Sequence, residues 1–218
     1  MKRFALQRVR PLFKQSLVFV LFHGIHLVIL LLPTLILAGP TQVDVAVAVF
    51  ASLVTIAAVL ESRFVRPAFD VASANICDVR AMHVASIVGV LLLVTFWSAQ
   101  IEHFAMRFKA PLFEIVGTLF VLAGIALRVQ AIRTLGPAFN SDICVGSGVI
   151  DHGIYRWFKH PSEIGLLMIA IGGPVVLGSL CTAIAATVLF MPISAWRIQR
   201  ENRVLASIRH CTTISYRI

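Results

Sequence analysis

The sequence predicts an all-α polytopic integral membrane protein with about five to six transmembrane helices. Hydrophobic residues make up 59% of the 218-residue chain and charged residues only 13%, which is about half the charged fraction of a soluble domain. The apolar residues also fall into long uncharged runs, as in membrane-spanning helices. The net charge of +9 is therefore interpreted as a sign of membrane topology, and no nucleic-acid partner is expected.

Five apolar runs follow one another along the chain. They are Ser16 to Ala38, Val43 to Leu60, about Ala81 to Ala99, about Leu112 to Ile132, and Ile164 to Trp196. The last run is too long for one span of about 20 residues and slightly short for two. The sequence Leu177-Gly178-Ser179 near its middle predicts a tight hairpin between two short spans. One long helix kinked at Pro174 is the alternative.

The distribution of basic residues favours the hairpin and therefore six spans. With a cytoplasmic N-terminus, every lysine and arginine except Arg107 and Lys109 then lies on the cytoplasmic side, as the positive-inside rule expects. Five spans would leave the basic residues from Arg197 onward on the opposite side. Both termini are thus predicted to be cytoplasmic, and the first run is interpreted as a retained anchor because it is longer than a typical signal peptide.

The polar stretch HGIYRWFKHPSEIG lies immediately before the final hairpin, at residues 152–165. Pro161 suits the first turn of a helix, so a helix is predicted to begin there with His160 at its cap and Glu163 in its first turn. The predicted topology puts residues 133–162 on the same side of the membrane as the C-terminal segment. The two segments could therefore form one site.

This stretch resembles the signature of the isoprenylcysteine carboxyl methyltransferase family and its bacterial relatives. The matching residues are Gly153, Tyr155, Arg156, His160, Pro161, Ser162 and Gly165. Two further elements of the family are matched by Leu135, Gly136 and Phe139 upstream, and by Arg197, Ile198, Glu201 and Leu205 downstream. Lys159, Glu163 and Asn202 depart from the pattern, which usually has an arginine, an aromatic residue and a second glutamate there.

The resemblance covers roughly residues 112–205 and implies two parts of the chain. Residues 1–111 would form three N-terminal spans. Residues 112–218 would form a methyltransferase-like membrane domain made of the fourth span, a cytoplasmic catalytic loop that binds the cofactor, the helical hairpin and a C-terminal helix. A bacterial-type inner membrane is the expected location, and the oligomeric state stays open.

The resemblance implies methyl transfer from S-adenosylmethionine to a lipophilic or small acceptor. A carboxylate, methylated on oxygen, is the first choice of acceptor, while thiols, phenols and amines stay open. Methyl transfer is an in-line displacement at a cationic methylsulfonium, so catalysis depends on alignment and on the exclusion of water. An NADPH-dependent membrane reductase of the sterol-reductase type and a non-catalytic membrane relative are the alternatives.

The resemblance also implies roles for particular residues, and no metal ligand is expected. The predicted catalytic residues are Arg197 and Glu201, the cofactor-binding residues are Gly153, Tyr155, His160, Pro161 and Glu201, and the substrate-binding residues are Glu163 and Arg197. Glu201 would accept a hydrogen bond from the ribose or the ammonium group of the cofactor. Arg197 would pair with a carboxylate of the acceptor or of the cofactor. Glu163 would either stabilise the helix dipole or contact a cationic group.

A few other positions carry predictions. Gly148 and Gly153 are expected to allow a tight turn or close approach of the cofactor. Arg156 and Lys159 are expected to meet anionic head groups at the membrane boundary. His23 and His26 share one face of the first span and are expected to be neutral and hydrogen-bonded inside the bundle. Four glycines are expected to allow close helix packing: Gly165, Gly172, Gly173 and Gly178.

Overall fold

The structure, a computed structural model, describes residues 20–39, 44–64, 79–106, 111–135 and 152–215. Side chains are described in these ranges except at residues 64, 79–85 and 204–215. Within these ranges the regular structure is helical and no strand occurs. The predicted all-α class is therefore confirmed.

Seven α-helices and one short 3-10 helix are present in the described ranges. They are α1 (Val20–Leu30), α2 (Leu32–Leu37), α3 (Val45–Phe64), α4 (Val79–Met106), α5 (Pro111–Leu135), the 3-10 helix Gly153–Arg156, α6 (Pro161–Val176) and α7 (Leu180–Ser215). Four of them, α3, α4, α5 and α7, contain segments long and apolar enough to cross a membrane, whereas α1 and α6 are apolar but shorter. This pattern confirms a polytopic membrane protein.

The predicted hairpin in the last apolar run is confirmed. Helix α6 ends at Val176 and α7 begins at Leu180, and the turn between them contains Gly178 at a φ of 68°, a conformation that favours glycine. Pro174 lies inside α6, and its carbonyl accepts a hydrogen bond from the Ser179 N–H at 2.9 Å. The alternative of one long helix kinked at this proline is wrong, because the chain reverses direction just beyond it.

The first apolar run is helical in its described part, with one interruption. The described part is divided at Leu31 into α1 and α2. Pro33 has no N–H to donate to the carbonyl of Ile29, one turn earlier. That carbonyl instead accepts a hydrogen bond from the indole N–H of Trp97 at 2.9 Å, and the carbonyl of Leu30 accepts one from Gln100 at 2.8 Å. Side chains of α4 thus compensate for the break.

Helices α5 and α6 approach each other closely through glycines. A Cβ atom on Gly165 would lie 2.6 Å from the carbonyl oxygen of Gly124, and one on Gly172 would lie 2.7 Å from Val121 of α5. A Cβ atom on Gly173 would lie 2.7 Å from Phe96 of α4. Close packing is therefore confirmed at these three predicted positions. Gly178 serves the turn instead.

The N-terminal and C-terminal helices share one core. Phe50 of α3 and Phe96 of α4 pack edge to face with ring centroids 5.1 Å apart. Both belong to a buried cluster that also contains Val121 of α5 and Ile169 of α6. The division of the chain near residue 112 stays a prediction, since these helices pack as one unit across it.

The end of the bundle at the α6–α7 turn is closed by hydrogen bonds. Ser179 donates to the carbonyl of Ala99 at 2.6 Å, and the Nδ1 atom of His103 lies 2.6 Å from the carbonyl oxygen of Leu177. Glu102 of α4 accepts hydrogen bonds from the N–H of Cys181 at 3.0 Å and of Thr182 at 2.8 Å. This carboxylate therefore caps the N-terminus of α7.

Candidate functional site

The candidate site lies at the opposite end of α6, where this helix begins. His160 occupies the N-cap position, Pro161 the first turn, and Glu163 the same turn with its side chain buried, which confirms the local structure predicted from the sequence. The side chain of His160 does not cap this helix, and the first backbone N–H groups of an α-helix have no acceptor within the helix itself.

The imidazole of His160 is turned towards α7. Its Nδ1 atom lies 2.8 Å from a carboxylate oxygen of Glu201, and its Nε2 atom lies 3.2 Å from the side-chain oxygen of Asn202. The hydrogen bond to Glu201 raises the pKa of His160 above its usual value, against the opposing effect of burial. Two ring nitrogens that each face an oxygen suit the doubly protonated imidazolium. The contact joins two of the three sequence elements that carry the family resemblance.

Glu163 and Arg197 form a second contact between α6 and α7. The Oε1 atom of Glu163 lies 2.8 Å from a guanidinium nitrogen of Arg197, and the two side chains are 11% and 16% exposed. The second oxygen, Oε2, is buried and has no hydrogen-bond partner in the described part of the chain. A buried acceptor without a partner costs about 1–3 kcal/mol and more when charged, so this carboxylate is held in an unfavourable state.

A third contact, between Arg128, Glu61 and Ser162, was not predicted from the sequence. Arg128 of α5 binds both carboxylate oxygens of Glu61 on α3, with Nε at 3.1 Å from Oε2. It also donates to the hydroxyl of Ser162 at 2.9 Å. The signal that could have found it is the position of Arg128 inside an apolar run, because ionisable residues there tend to be paired and functional.

Tyr155 and Gly153 lie in the 3-10 helix that leads into α6. Burial is the main cause that raises the pKa of Tyr155, with a further contribution from the negative charge of Glu201. The phenol therefore stays protonated and able to donate a hydrogen bond. Gly153 has a φ of 61°, and a Cβ atom there would lie 3.0 Å from the side chain of Thr134, which accords with the tight turn expected at this position.

The remaining residues singled out in the sequence lie at the membrane boundary, in α1, or outside the described residues. Arg156 and Lys159 are exposed, as expected at a membrane boundary. The Nε2 atom of His23 lies 3.1 Å from the hydroxyl of Ser62, whereas the buried Nε2 atom of His26 has no hydrogen-bond partner among the described residues. Three residues singled out in the sequence lie outside the described residues, namely Gly136, Phe139 and Gly148, and so does the predicted beginning of the first span.

The chain is similar to known protein-S-isoprenylcysteine O-methyltransferases. Residues 116–207 match the family described as the isoprenylcysteine carboxyl methyltransferase (ICMT) family. Protein-S-isoprenylcysteine O-methyltransferase A of Arabidopsis thaliana is 32% identical over 93 residues, which cover 41% of this chain and 47% of that protein. The human protein-S-isoprenylcysteine O-methyltransferase is 31% identical over 93 residues, covering 41% and 31%. The enzyme of Saccharomyces cerevisiae is 26% identical over 131 residues, covering 58% and 54%.

The similarity is confined to part of each protein. The aligned segments span about half or less of the length of these curated relatives, and no solved structure matches the chain. The matched segment contains Arg128, His160, Glu163, Arg197 and Glu201. The resemblance predicted from the sequence is thereby confirmed, and residues 116–207 carry the match to the isoprenylcysteine carboxyl methyltransferase family.

Proposed function

We propose that this protein is an integral membrane methyltransferase that uses S-adenosylmethionine. The observation that carries the proposal is the 2.8 Å contact between His160 and Glu201, within the family-matching segment. It brings the start of α6 and the later part of α7, 41 residues apart in sequence, to one place at the end of the bundle. The family match supports methyl transfer and does not favour the NADPH-dependent reductase.

The residues present fit the polar groups of S-adenosylmethionine. The uncapped N-terminus of α6 offers backbone N–H groups for a carboxylate. Glu201 keeps an oxygen that faces neither ring nitrogen of His160 and would accept from a ribose hydroxyl or the ammonium group. Tyr155 is half-buried and interacts electrostatically with Glu201, and its ring would stack on the adenine. Bound S-adenosylmethionine supplies an electrophilic methyl group on a sulfonium.

The side chains of the protein would act by holding the cofactor and the acceptor in line. His160 and Glu201 hold each other in place, so the proposed cofactor side of the site would be formed before binding. Glu163 and Arg197 form the neighbouring pair that would meet the acceptor. Much of the rate enhancement of such a displacement comes from holding the reacting atoms in line and excluding water. Both tasks suit a site at the end of an apolar helix bundle.

The topology is part of the same proposal. The ends of α3 and α5, the start of α6 and the later part of α7 meet at the site, and the sequence assigns all four to the cytoplasmic side. We therefore propose a cytoplasmic site and cytoplasmic termini in a bacterial-type inner membrane. The carboxylate acceptor expected from the resemblance stays a prediction, because the matches do not test the acceptor.

The test is isothermal binding of S-adenosylmethionine to detergent-solubilised protein, with S-adenosylhomocysteine and NADPH titrated in parallel. Wild type should bind the first two saturably and gain thermal stability from them. His160→Ala and Glu201→Ala should each weaken binding by about tenfold or more, the usual effect of losing a charge-assisted hydrogen bond. Glu114→Ala, at the far end of α5, is the control and should bind as wild type does.

The outcomes separate the three functions. Binding of NADPH without S-adenosylmethionine would replace the methyltransferase by a reductase. Folded wild type that binds neither would be a non-catalytic relative. Either result would overturn the proposal.

A further inference from the structure

The guanidinium group of Arg128 joins three helices at the site. Its Nε atom and one terminal nitrogen donate to the two carboxylate oxygens of Glu61 on α3. The other terminal nitrogen donates to the hydroxyl of Ser162 at 2.9 Å and to the carbonyl oxygen of the same residue at 3.3 Å. The donors of a guanidinium group lie in one rigid plane. The carboxylate and the serine therefore fix the orientation of this plane together.

The contact with Ser162 is not needed to neutralise Arg128. A charged side chain inside an apolar helix bundle requires a partner of opposite charge, and Glu61 is that partner. The hydroxyl and the carbonyl of Ser162 are additional acceptors, and they lie in the first turn of α6, where the candidate site is formed. An ion pair that only held α3 and α5 together would need the contact with Glu61 alone.

Close packing of the helices brings Arg128 to this turn. A Cβ atom on Gly165, three residues after Ser162, would lie 3.0 Å from the backbone nitrogen of Arg128 and 3.1 Å from its Cβ atom. Helix α6 therefore passes directly against Arg128. The backbones of the two helices thus determine where the guanidinium group meets Ser162.

The turn that Arg128 contacts carries two side chains of the proposed site. Ser162 follows His160 by two residues and precedes Glu163, which pairs with Arg197 at 2.8 Å. The guanidinium group of Arg128 also interacts electrostatically with Glu163. A shift of this turn would move both side chains, and a misplacement of about 1 Å can cost an enzyme about 100-fold in rate.

We infer that Arg128 and Glu61 are positioning residues of this site, which act through Ser162 on the first turn of α6. Glu61 orients the guanidinium group of Arg128, and Arg128 holds the turn in place. The inference rests on the proposed methyltransferase function and extends its site to α3. This helix lies outside residues 116–207, which match the family. The N-terminal helices therefore serve the activity as well as the attachment to the membrane.

The test measures two properties of detergent-solubilised protein. Calorimetric titration gives the affinity for S-adenosylhomocysteine, and denaturant titration gives the free energy of unfolding. The affinity is measured at a temperature at which nearly all molecules of each variant are folded. A residue that only stabilises the fold then changes the unfolding and leaves the affinity as it is in wild type.

Two single variants change the network at different places. Ser162→Ala removes the hydroxyl contact and keeps the ion pair of Arg128, whereas Glu61→Gln removes the charge that orients the guanidinium group. Each should weaken the binding of S-adenosylhomocysteine about threefold or more, because residues of one hydrogen-bond network depend on one another. The matched control is Ser52→Ala, which removes a hydroxyl bonded to the carbonyl of Ala48 within α3 and should bind as wild type does.

An exchange of the two charges separates positioning from stability. The double variant Glu61→Arg with Arg128→Glu keeps an ion pair between α3 and α5, so it should be more stable than either single charge reversal. A glutamate at position 128 cannot donate to the carbonyl of Ser162. The affinity of the double variant should therefore stay about threefold or more below that of wild type.

Three results would overturn the inference. If Ser162→Ala and Glu61→Gln bind S-adenosylhomocysteine as tightly as wild type, the proposed function stands and the network is only structural. If the exchanged pair regains the affinity of wild type, the contact from Arg128 to Ser162 is not required. If wild type binds neither S-adenosylmethionine nor S-adenosylhomocysteine, the proposed function fails and the inference fails with it.

Discussion

Two carboxylates at the two ends of the helix hairpin have opposite surroundings. Glu102 caps the N-terminus of α7, and its oxygens accept from two backbone N–H groups and the hydroxyl of Thr182 at 2.6 Å. Glu163 lies in the first turn of α6 and keeps one buried oxygen without a partner among the described residues. A filled polar network stabilises the fold, whereas a buried acceptor without a partner lowers its stability.

The largest effect on stability is expected at Arg128, the charged residue that connects the site to α3. Replacement by alanine should lower the free energy of unfolding by about 2–3 kcal/mol, because it removes the charge-assisted hydrogen bonds to Glu61, whose side chain is 36% exposed, and the hydrogen bond to Ser162. Denaturant titration in detergent measures the loss. The double variant with Glu61→Ala should lose less than the sum of the two single variants. Additive losses would show that the two residues do not depend on each other.

A smaller effect is expected at the turn end. Glu102→Gln should lower the free energy of unfolding by about 1–2 kcal/mol, because one acceptor oxygen and the charge at the N-terminus of α7 are lost. Titration with S-adenosylhomocysteine should give the same affinity as in wild type. A loss of affinity would contradict the assignment of this end of the bundle to a structural role.

The smallest effect concerns pH and the pair of His160 and Glu201. The folded pKa of His160 is raised above 6.5, so the pair contributes fully to stability below that pH, and the contribution is lost as the pH rises through the raised value. Glu201 is 43% exposed, which limits the contribution to about 1 kcal/mol. Thermal melts of wild type and His160→Gln over a pH series should converge at high pH. A gap that widens with pH would mean that His160 is neutral in the folded protein.

The predictions from the sequence were correct where they depend on interactions over a few neighbouring residues. Apolar runs, the glycine at the turn and Pro161 at a helix start act over a few residues, and the corresponding helices, hairpin and first turn of α6 are present. The pairing partners of the charged residues were not predicted. Which carboxylate meets Arg128 or Arg197 depends on how helices distant in sequence pack. The break at Leu31 was not predicted although Pro33 is visible in the sequence, whereas the hydrogen bonds from Trp97 and Gln100 of α4 that compensate for it depend on tertiary packing.

The length of α6 determines how deep the site lies in the bilayer. Its 16 residues rise about 24 Å along the helix axis, whereas the hydrocarbon layer is about 30 Å thick. If the α6–α7 turn reaches one surface of this layer, the first turn of α6 stops about 6 Å short of the other surface, or the bilayer thins by that amount. Hydrophobic mismatch would then bring the lipid head groups close to the first turn of α6.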